Sequence, residues 1–223
     1  MKTNEELQKD VQDAIKWEPL LNAAEIGVIA KDGVVTLTGT VDSYTKKLEA
    51  EDAAKNVGGV EAVIEKIIVK FGKSLNKSDD EIAIEVLAAL KGSWQIPSGK
   101  IKVKVENGWI TLSGVLNWNY QKDVAKNLVS HLAVVTGVTN NVTIKSLSND
   151  EIERKDIELA LERNWSINSE DITVKVSDHK VTLSGIVSSW YQKDEAERIA
   201  WKAPGVWTVD NKLIVEYDYS FAD

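Results

Sequence analysis

Three near-copies of one phrase constrain this chain more than anything else in it: GVVTLTG at 33–39, GWITLSG at 108–114 and HKVTLSG at 179–185. Aligning their last glycines, Gly39, Gly114 and Gly185, gives offsets of 75 (114 − 39) and 71 (185 − 114). The same offsets hold without gaps from Ile15/Leu90/Leu161, through Ile26/Ile101/Ile172, to Val69/Ile144/Val215. A period of that size is a whole small domain, so the 223 residues read as three copies of one module. The bounds are 1–71, 78–147 and 148–217, with polar linkers at 72–77 and 146–148.

Each module opens with a helix. Thr3-x-x-Glu6 and Ser78-x-x-Glu81 are capping boxes, which satisfy the free N–H groups of a first turn. Leu7, Val11 and Ile15, and likewise Ile82, Val86 and Leu90, then form one apolar stripe. In the third copy Ile152, Ile157 and Leu161 break the rhythm by one residue, which predicts a shifted start.

Two alternating runs follow. Ile26, Val28 and Ala30 are separated from Val35 and Leu37 by Asp32-Gly33, and Ile101, Val103 and Val105 from Ile110 and Leu112 by Asn107-Gly108. Such dipeptides supply the positive φ of a tight hairpin turn. The third copy uses the less favourable Asp178-His179. Gly39, Gly114 and Gly185 read as the ends of the second strands, where positive φ or close packing demands glycine.

An Ala-rich helix comes next (Ala50, Ala53, Ala54, Val57; Ala125, Leu128, Val129, Leu132; Ala196, Ile199, Ala200, Ala203), its small residues implying close approach to a sheet. A last strand runs through Val63, Ile67 and Val69, through Val138, Val142 and Ile144, and through Val209, Leu213 and Val215. The fold class is α+β: three tandem αββαβ modules, each a three-stranded mixed sheet with two helices on one face. The first two strands pair antiparallel, and the third joins in parallel through a right-handed crossover. Modules this small are marginal alone, so packing between modules, or of one chain on another as a homo-oligomer, is expected to add stability.

A formal charge of −8 argues against a nucleic-acid partner, since phosphate binding needs clustered Lys and Arg. The charge is uneven. Residues 1–71 carry 9 basic and 13 acidic groups, 78–147 carry 7 and 6, and 148–223 carry 9 and 16. With no Cys, disulfides, thiolate catalysis and cysteine zinc sites are excluded. The first residues lack the apolar core of a signal peptide, and no window is long and apolar enough to span a bilayer. The chain as written is expected to be cytoplasmic, or periplasmic if a signal has been removed.

The VTL[ST]G strand, the Ala-rich helix and the turn Gly59-Val60…Val63, repeated as Gly205-Val206…Val209-Asp210-Asn211, resemble the BON domain, named after bacterial osmotically inducible and nodulation proteins. The layout, with WEP at 17–19 and YQKD at 120–123 and 191–194, is similar to small bacterial proteins with three tandem BON domains. The resemblance implies the αββαβ module and a place in stress or envelope physiology, described as transport-associated. It also implies binding to phospholipid or membrane surfaces, or chaperone-like holding. Two positions depart from the pattern: Val134 stands where the family turn has Gly, and Glu65 where Asn140 and Asn211 stand in the other copies.

Nothing reads as an active site, so a non-enzymatic binding or scaffold protein without cofactor or metal is expected. His131 and His179 fall at non-equivalent places and read as structural. Asp123 and Asp194 recur, but Leu48 fills their place in module one, and a first-turn carboxylate complementing the helix dipole accounts for them. Lys47, Lys122 and Lys193 recur as single solvated cations. There is no phosphate loop.

Two candidate binding surfaces remain. Strand alternation puts Lys100, Lys102, Lys104, Trp109 and Thr111 on the sheet face away from the helices, suited to an anionic lipid or an acidic protein. Trp118, Tyr120, Trp190 and Tyr191, with Tyr44, fall beside Lys and Gln between the phrase glycine and the second helix; they either seat in an interface or cap the small core. Trp94 and Trp165 read as core. In module one, Ile29, Val34 and Ile68 form an apolar patch on the open face, which another module or subunit is expected to cover.

Overall fold

The computed structural model describes residues 2–72, 77–146 and 154–216. The chain forms two compact units, Met1–Gly114 with Tyr120–Val142, and Val115–Asn119 with Thr143–Asp223. Module one runs α1 (Asn4–Trp17), β1 (Ile26–Lys31), β2 (Val34–Val41), α2 (Tyr44–Lys55) and β3 (Ala62–Val69). Module two runs α3 (Asp79–Gly92), β4 (Ile101–Glu106), β5 (Trp109–Leu116), α4 (Asn119–Ser130) and β6 (Gly137–Ile144). Module three runs α5 (Arg154–Glu162), β7 (Ile172–Ser177), β8 (Lys180–Val187), α6 (Trp190–Ala200) and β9 (Thr208–Val215). The sheet orders are β1-β2-β3, β4-β5-β6 and β7-β8-β9. The middle strand is antiparallel to the first, and in modules one and three parallel to the last.

The capping boxes form as the spacing predicts: Thr3 and Ser78 accept from the N–H of Glu6 and Glu81, whose carboxylates accept from the N–H of Thr3 and Ser78. Those backbone hydrogen bonds hold both carboxyl groups below their ordinary pKa. The stripes Leu7/Val11/Ile15 and Ile82/Val86/Leu90 are buried, as are Ile157 and Leu161. Ile152, on which the shifted start of the third helix rests, lies outside the described residues.

The hairpins close through two-residue turns with φ of 49° and 77° at Asp32-Gly33 and 52° and 73° at Asn107-Gly108; Asp178 takes 51°. The phrase glycines lie inside their strands. Gly39, Gly114 and Gly185 pair with Ile26, Ile101 and Ile172, and β2, β5 and β8 run two residues further, to Val41, Leu116 and Val187. Glycine is needed because the neighbouring chain crosses where Cβ would stand. A Cβ there would meet the carbonyl oxygens of Glu25, Lys100 and Asp171 at 2.0, 2.1 and 1.9 Å.

Ala50 and Ala54, Ala125 and Val129, and Ala196 and Ala200 are fully buried, so the second helices pack closely on the sheets as their small residues imply. In module one the opposite sheet face is open. Ile29 and Ile68 are exposed and Val34 half-buried among the described residues, so the expected covering of this patch is not seen for its two isoleucines.

Modules one and two meet inside the first unit. Tyr44, at the start of α2, is buried and hydrogen-bonds the backbone of Val138 at the start of β6, while the Thr45 hydroxyl donates to the Ser130 carbonyl at 3.2 Å. Burial pushes the Tyr44 phenol above its usual pKa.

Glu65 also has a structural account. Asn140 and Asn211 each donate to the backbone carbonyl of a helix lysine, Lys122 or Lys193, and accept from an N–H in their own strand. Glu65 keeps the second bond, to the Ile67 N–H, and replaces the first by an ion pair with Lys47 at 2.6 Å. Lys47 is therefore a half-buried partner rather than the solvated cation expected.

Candidate functional site

The open sheet face of module two carries Lys102 and Lys104 on β4 and Trp109 on β5, as alternation predicts; Lys100 precedes β4 and is exposed. Lys104 is paired with Glu106 on the same face at 2.8 Å, which offsets one of the three positive charges. Trp109 is 45 % exposed. Its indole N–H donates to the Thr139 hydroxyl at 2.9 Å, and its ring lies so close to Gly137 that a Cβ there would meet it at 2.3 Å. A glycine beside a cross-strand aromatic lets the ring lie flat on the sheet. Trp109 is thus held by the sheet, with its polar atom satisfied. The equivalent places carry Val34 in module one and, in module three, Lys180 paired with Asp210 at 2.7 Å.

The aromatic positions expected in the loop before the second helix lie mostly within that helix: Tyr44, Tyr120, Trp190 and Tyr191 are first-turn residues of α2, α4 and α6, and Trp118 alone precedes its helix. Tyr44 is a buried module-to-module contact, whereas Trp118, Tyr120 and Tyr191 are exposed and Trp190 is half-buried, with the Lys193 ammonium 5.2 Å from its ring centroid.

Trp94 and Trp165, read as core, are 91 % and 95 % exposed. The helices end before them, at Gly92 and Glu162, and Ile96 and Ile167, two residues further on, fill the core instead. Trp17, at the end of α1, is 87 % exposed, so every module holds one nearly free indole where its first helix ends. In module two the exposure extends along the helix. Ile84 and Leu87, 67 % and 51 % exposed, form a second apolar stripe on the outer side of α3. Lys9 and Gln12 stand at these places in α1, and Lys155 and Glu158 in α5. The spacing of Ile84, Leu87 and Lys91 shows in the sequence, but the inner stripe draws attention first.

The loop after α3 also differs. Modules one and three close this end with a 3₁₀ turn, Ala23–Glu25 and Ser169–Asp171, whereas module two has Pro97-Ser98-Gly99, with Gly99 at φ 74°. A cavity of about 180 Å³ opens there, lined by Leu87, Leu90, Lys91, Ile96, Pro97 and Ile101.

Asp123 and Asp194 are each the fifth residue of their helices, and those first turns hold no acid, so the dipole account of them fails. His179 stacks on Trp207 at 3.9 Å with its Nδ1–H donating to the Gly205 carbonyl, and His131 Nδ1 likewise faces the Asn127 carbonyl. Among the described residues no group of three or more His, Cys, Asp or Glu is placed to hold a metal, and no helix is long and apolar enough to cross a membrane.

The sequence pattern of the BON domain matches residues 3–70, 78–146 and 149–217. The chain belongs to the BON domain family. A curated BON relative is the osmotically-inducible protein Y of Escherichia coli K12, 30% identical over 129 residues, which cover 56% of this chain and 64% of that protein. The alignment thus spans less than two thirds of the relative's length. Solved structures that align with these BON modules include two of CdsD, a structural protein of the type III secretion system of Chlamydia trachomatis. The identities are 16% and 17%, over 96% of this chain and 94% and 100% of theirs, with a TM-score of 0.26 for both.

Val134 marks where the middle BON module departs from its neighbours. It holds φ at 68°, in the left-handed region taken by Gly59 (101°) and Gly205 (82°), a conformation costly for a β-branched residue.

Proposed function

We propose that this protein is a non-enzymatic, peripheral binding protein of bacterial stress or envelope physiology, which engages an anionic lipid interface through the helix side of its middle BON module. The observation that carries the reading is the outer face of α3: Ile84 and Leu87 exposed along it, Lys91 exposed beside them and Trp94 free at its end. An indole seats well at a bilayer's headgroup level, and lysine stems reach from there toward lipid phosphates. The Lys102/Lys104/Trp109 face lies on the opposite side of the module, where Trp109 is already held by Thr139 and Gly137.

Co-sedimentation with vesicles of phosphatidylcholine and phosphatidylglycerol tests this. Seating a large apolar side chain contributes about 1.5–3 kcal/mol, so Trp94→Ala is expected to weaken binding tenfold or more. Replacing Lys100, Lys102 and Lys104 together by Glu is expected to change it little at 1 M salt, where the repulsion from the added negative charge is screened. The opposite ranking would move the site to the sheet face.

A second reading, protein docking or chaperone-like holding through the aromatic residues at the starts of the second helices, draws support from Tyr44, which uses its copy of that position for a protein contact. Pull-down with Trp190→Ala and Tyr191→Ala separates it, since loss of a partner there would leave vesicle binding unchanged.

A further inference from the structure

We propose that the cavity at the foot of α3 is a binding pocket for a single-chain anionic amphiphile, its aliphatic tail among Leu87, Leu90, Ile96 and Ile101 and its carboxylate at Lys91. The inference deepens the reading of the middle module as the one that faces amphiphiles.

Three departures, all confined to this module, build the pocket. The loop Pro97-Ser98-Gly99 replaces the 3₁₀ turn that closes modules one and three at this place. Ile101 is in consequence only half-buried, while its counterparts Ile26 and Ile172 are buried. Leu87 stands where Gln12 and Glu158 would offer polar side chains to the opening.

Size and charge then select the occupant. An apolar cavity of about 150 Å³ holds a six-carbon ring such as benzene. The 180 Å³ here therefore suits a short aliphatic run better than a whole lipid. A lining of leucine and isoleucine offers such a chain no hydrogen bond. Lys91 is the one charged residue of the lining and is exposed, which places an anionic head at the opening. Module three has Glu162 at that place, which would repel the same head.

The test is a titration of the full chain with octanoate, and in parallel with neutral octanol, followed through the methyl resonances of Leu and Ile. Octanoate is expected to give saturable shifts confined to Leu87, Leu90, Ile96 and Ile101. It should bind about two- to fivefold more tightly than octanol, as suits one exposed charge pair, and Lys91→Gln should remove that difference. Substituting Pro97→Asn, Ser98→Ala and Gly99→Ala together, which restores the module-one loop, should abolish the shifts. Leu87→Gln, a change at a half-exposed surface position, should weaken them several-fold even if the loop variant folds poorly. Absent saturation, shifts spread over all three modules, octanol binding as tightly as octanoate, or shifts untouched by both variants would each overturn the proposal. Octanoate binding in a chain that ignores vesicles upholds the pocket and removes the membrane reading. Vesicle binding without octanoate binding does the reverse.

Discussion

At Gly114 the backbone entering β4 comes so near that a methyl group would stand 2.1 Å from the Lys100 carbonyl oxygen, with φ at 146° besides. Neither atom can yield without breaking the hairpin register that also pairs Lys102 with Ser113 and Val103 with Leu112. Gly114→Ala is therefore expected to cost about 3 kcal/mol or more, in the range of strained or overpacked core positions. Gly72→Ala, with nothing within 4 Å of the new Cβ, should stay within about 0.5 kcal/mol. Urea denaturation read by tryptophan fluorescence compares the two; a Gly114→Ala midpoint near that of Gly72→Ala would refute the steric account. The same scale explains why Trp109 is a weak candidate for a ligand contact. Its N–H is already bonded and its ring already seated on Gly137.

Helix α2 shows an element doing more than its repeat unit requires. Its inner face of Ala50, Ala53 and Ala54 packs on its own sheet, while Tyr44 and Thr45 at its start bond to Val138 and Ser130 of the next module. Tyr44→Phe should lower stability by about 1 kcal/mol at neutral pH, the worth of one hydrogen bond. The buried phenol titrates above its unfolded value of about 10. Its contribution is thus present below that value and lost as the pH rises through the folded one. Thermal unfolding at rising alkaline pH should show wild type losing stability faster than Tyr44→Phe, so that the gap between them closes; a constant gap would show that Tyr44 is not the titrating group.

Elements were legible in the sequence wherever their signals are local. Capping boxes, the inner helical stripes and the Asx-Gly turns act within a few residues of chain. What escaped depends on where an element stops or what another brings to it. Trp94 continues the apolar pattern past Leu90, and only the helix end at Gly92 turns it outward. Gly114 ends the phrase but not the strand, because the reason for glycine is the neighbouring chain at Lys100. Tyr44 is buried by a surface of another module, and the cavity comes from a missing turn after α3.

Across the whole molecule, charge and apolar exposure point to different modes of binding. The net charge of −8 comes from the outer segments, 9 basic to 13 acidic over 1–71 and 9 to 16 over 148–223, while the middle one has 7 to 6. An anionic membrane therefore repels the chain at long range and offers the middle module little Coulombic attraction. In the proposed membrane reading, insertion of Trp94, Ile84 and Leu87 supplies the binding, and apolar burial does not weaken with salt. Salt does screen the repulsion, since the Debye length falls from about 10 Å at 0.1 M to about 3 Å at 1 M. Binding to phosphatidylglycerol vesicles is thus expected to hold steady or strengthen as sodium chloride is raised across that range. Contacts made mainly by Lys100, Lys102 and Lys104 would weaken over the same range, as attraction between exposed charges does. Co-sedimentation with phosphatidylglycerol vesicles at the two salt levels, with Trp94→Ala alongside, separates these cases. A steep loss of wild-type binding at high salt would assign the membrane contact to the sheet face and leave the exposed stripe of α3 to a different partner.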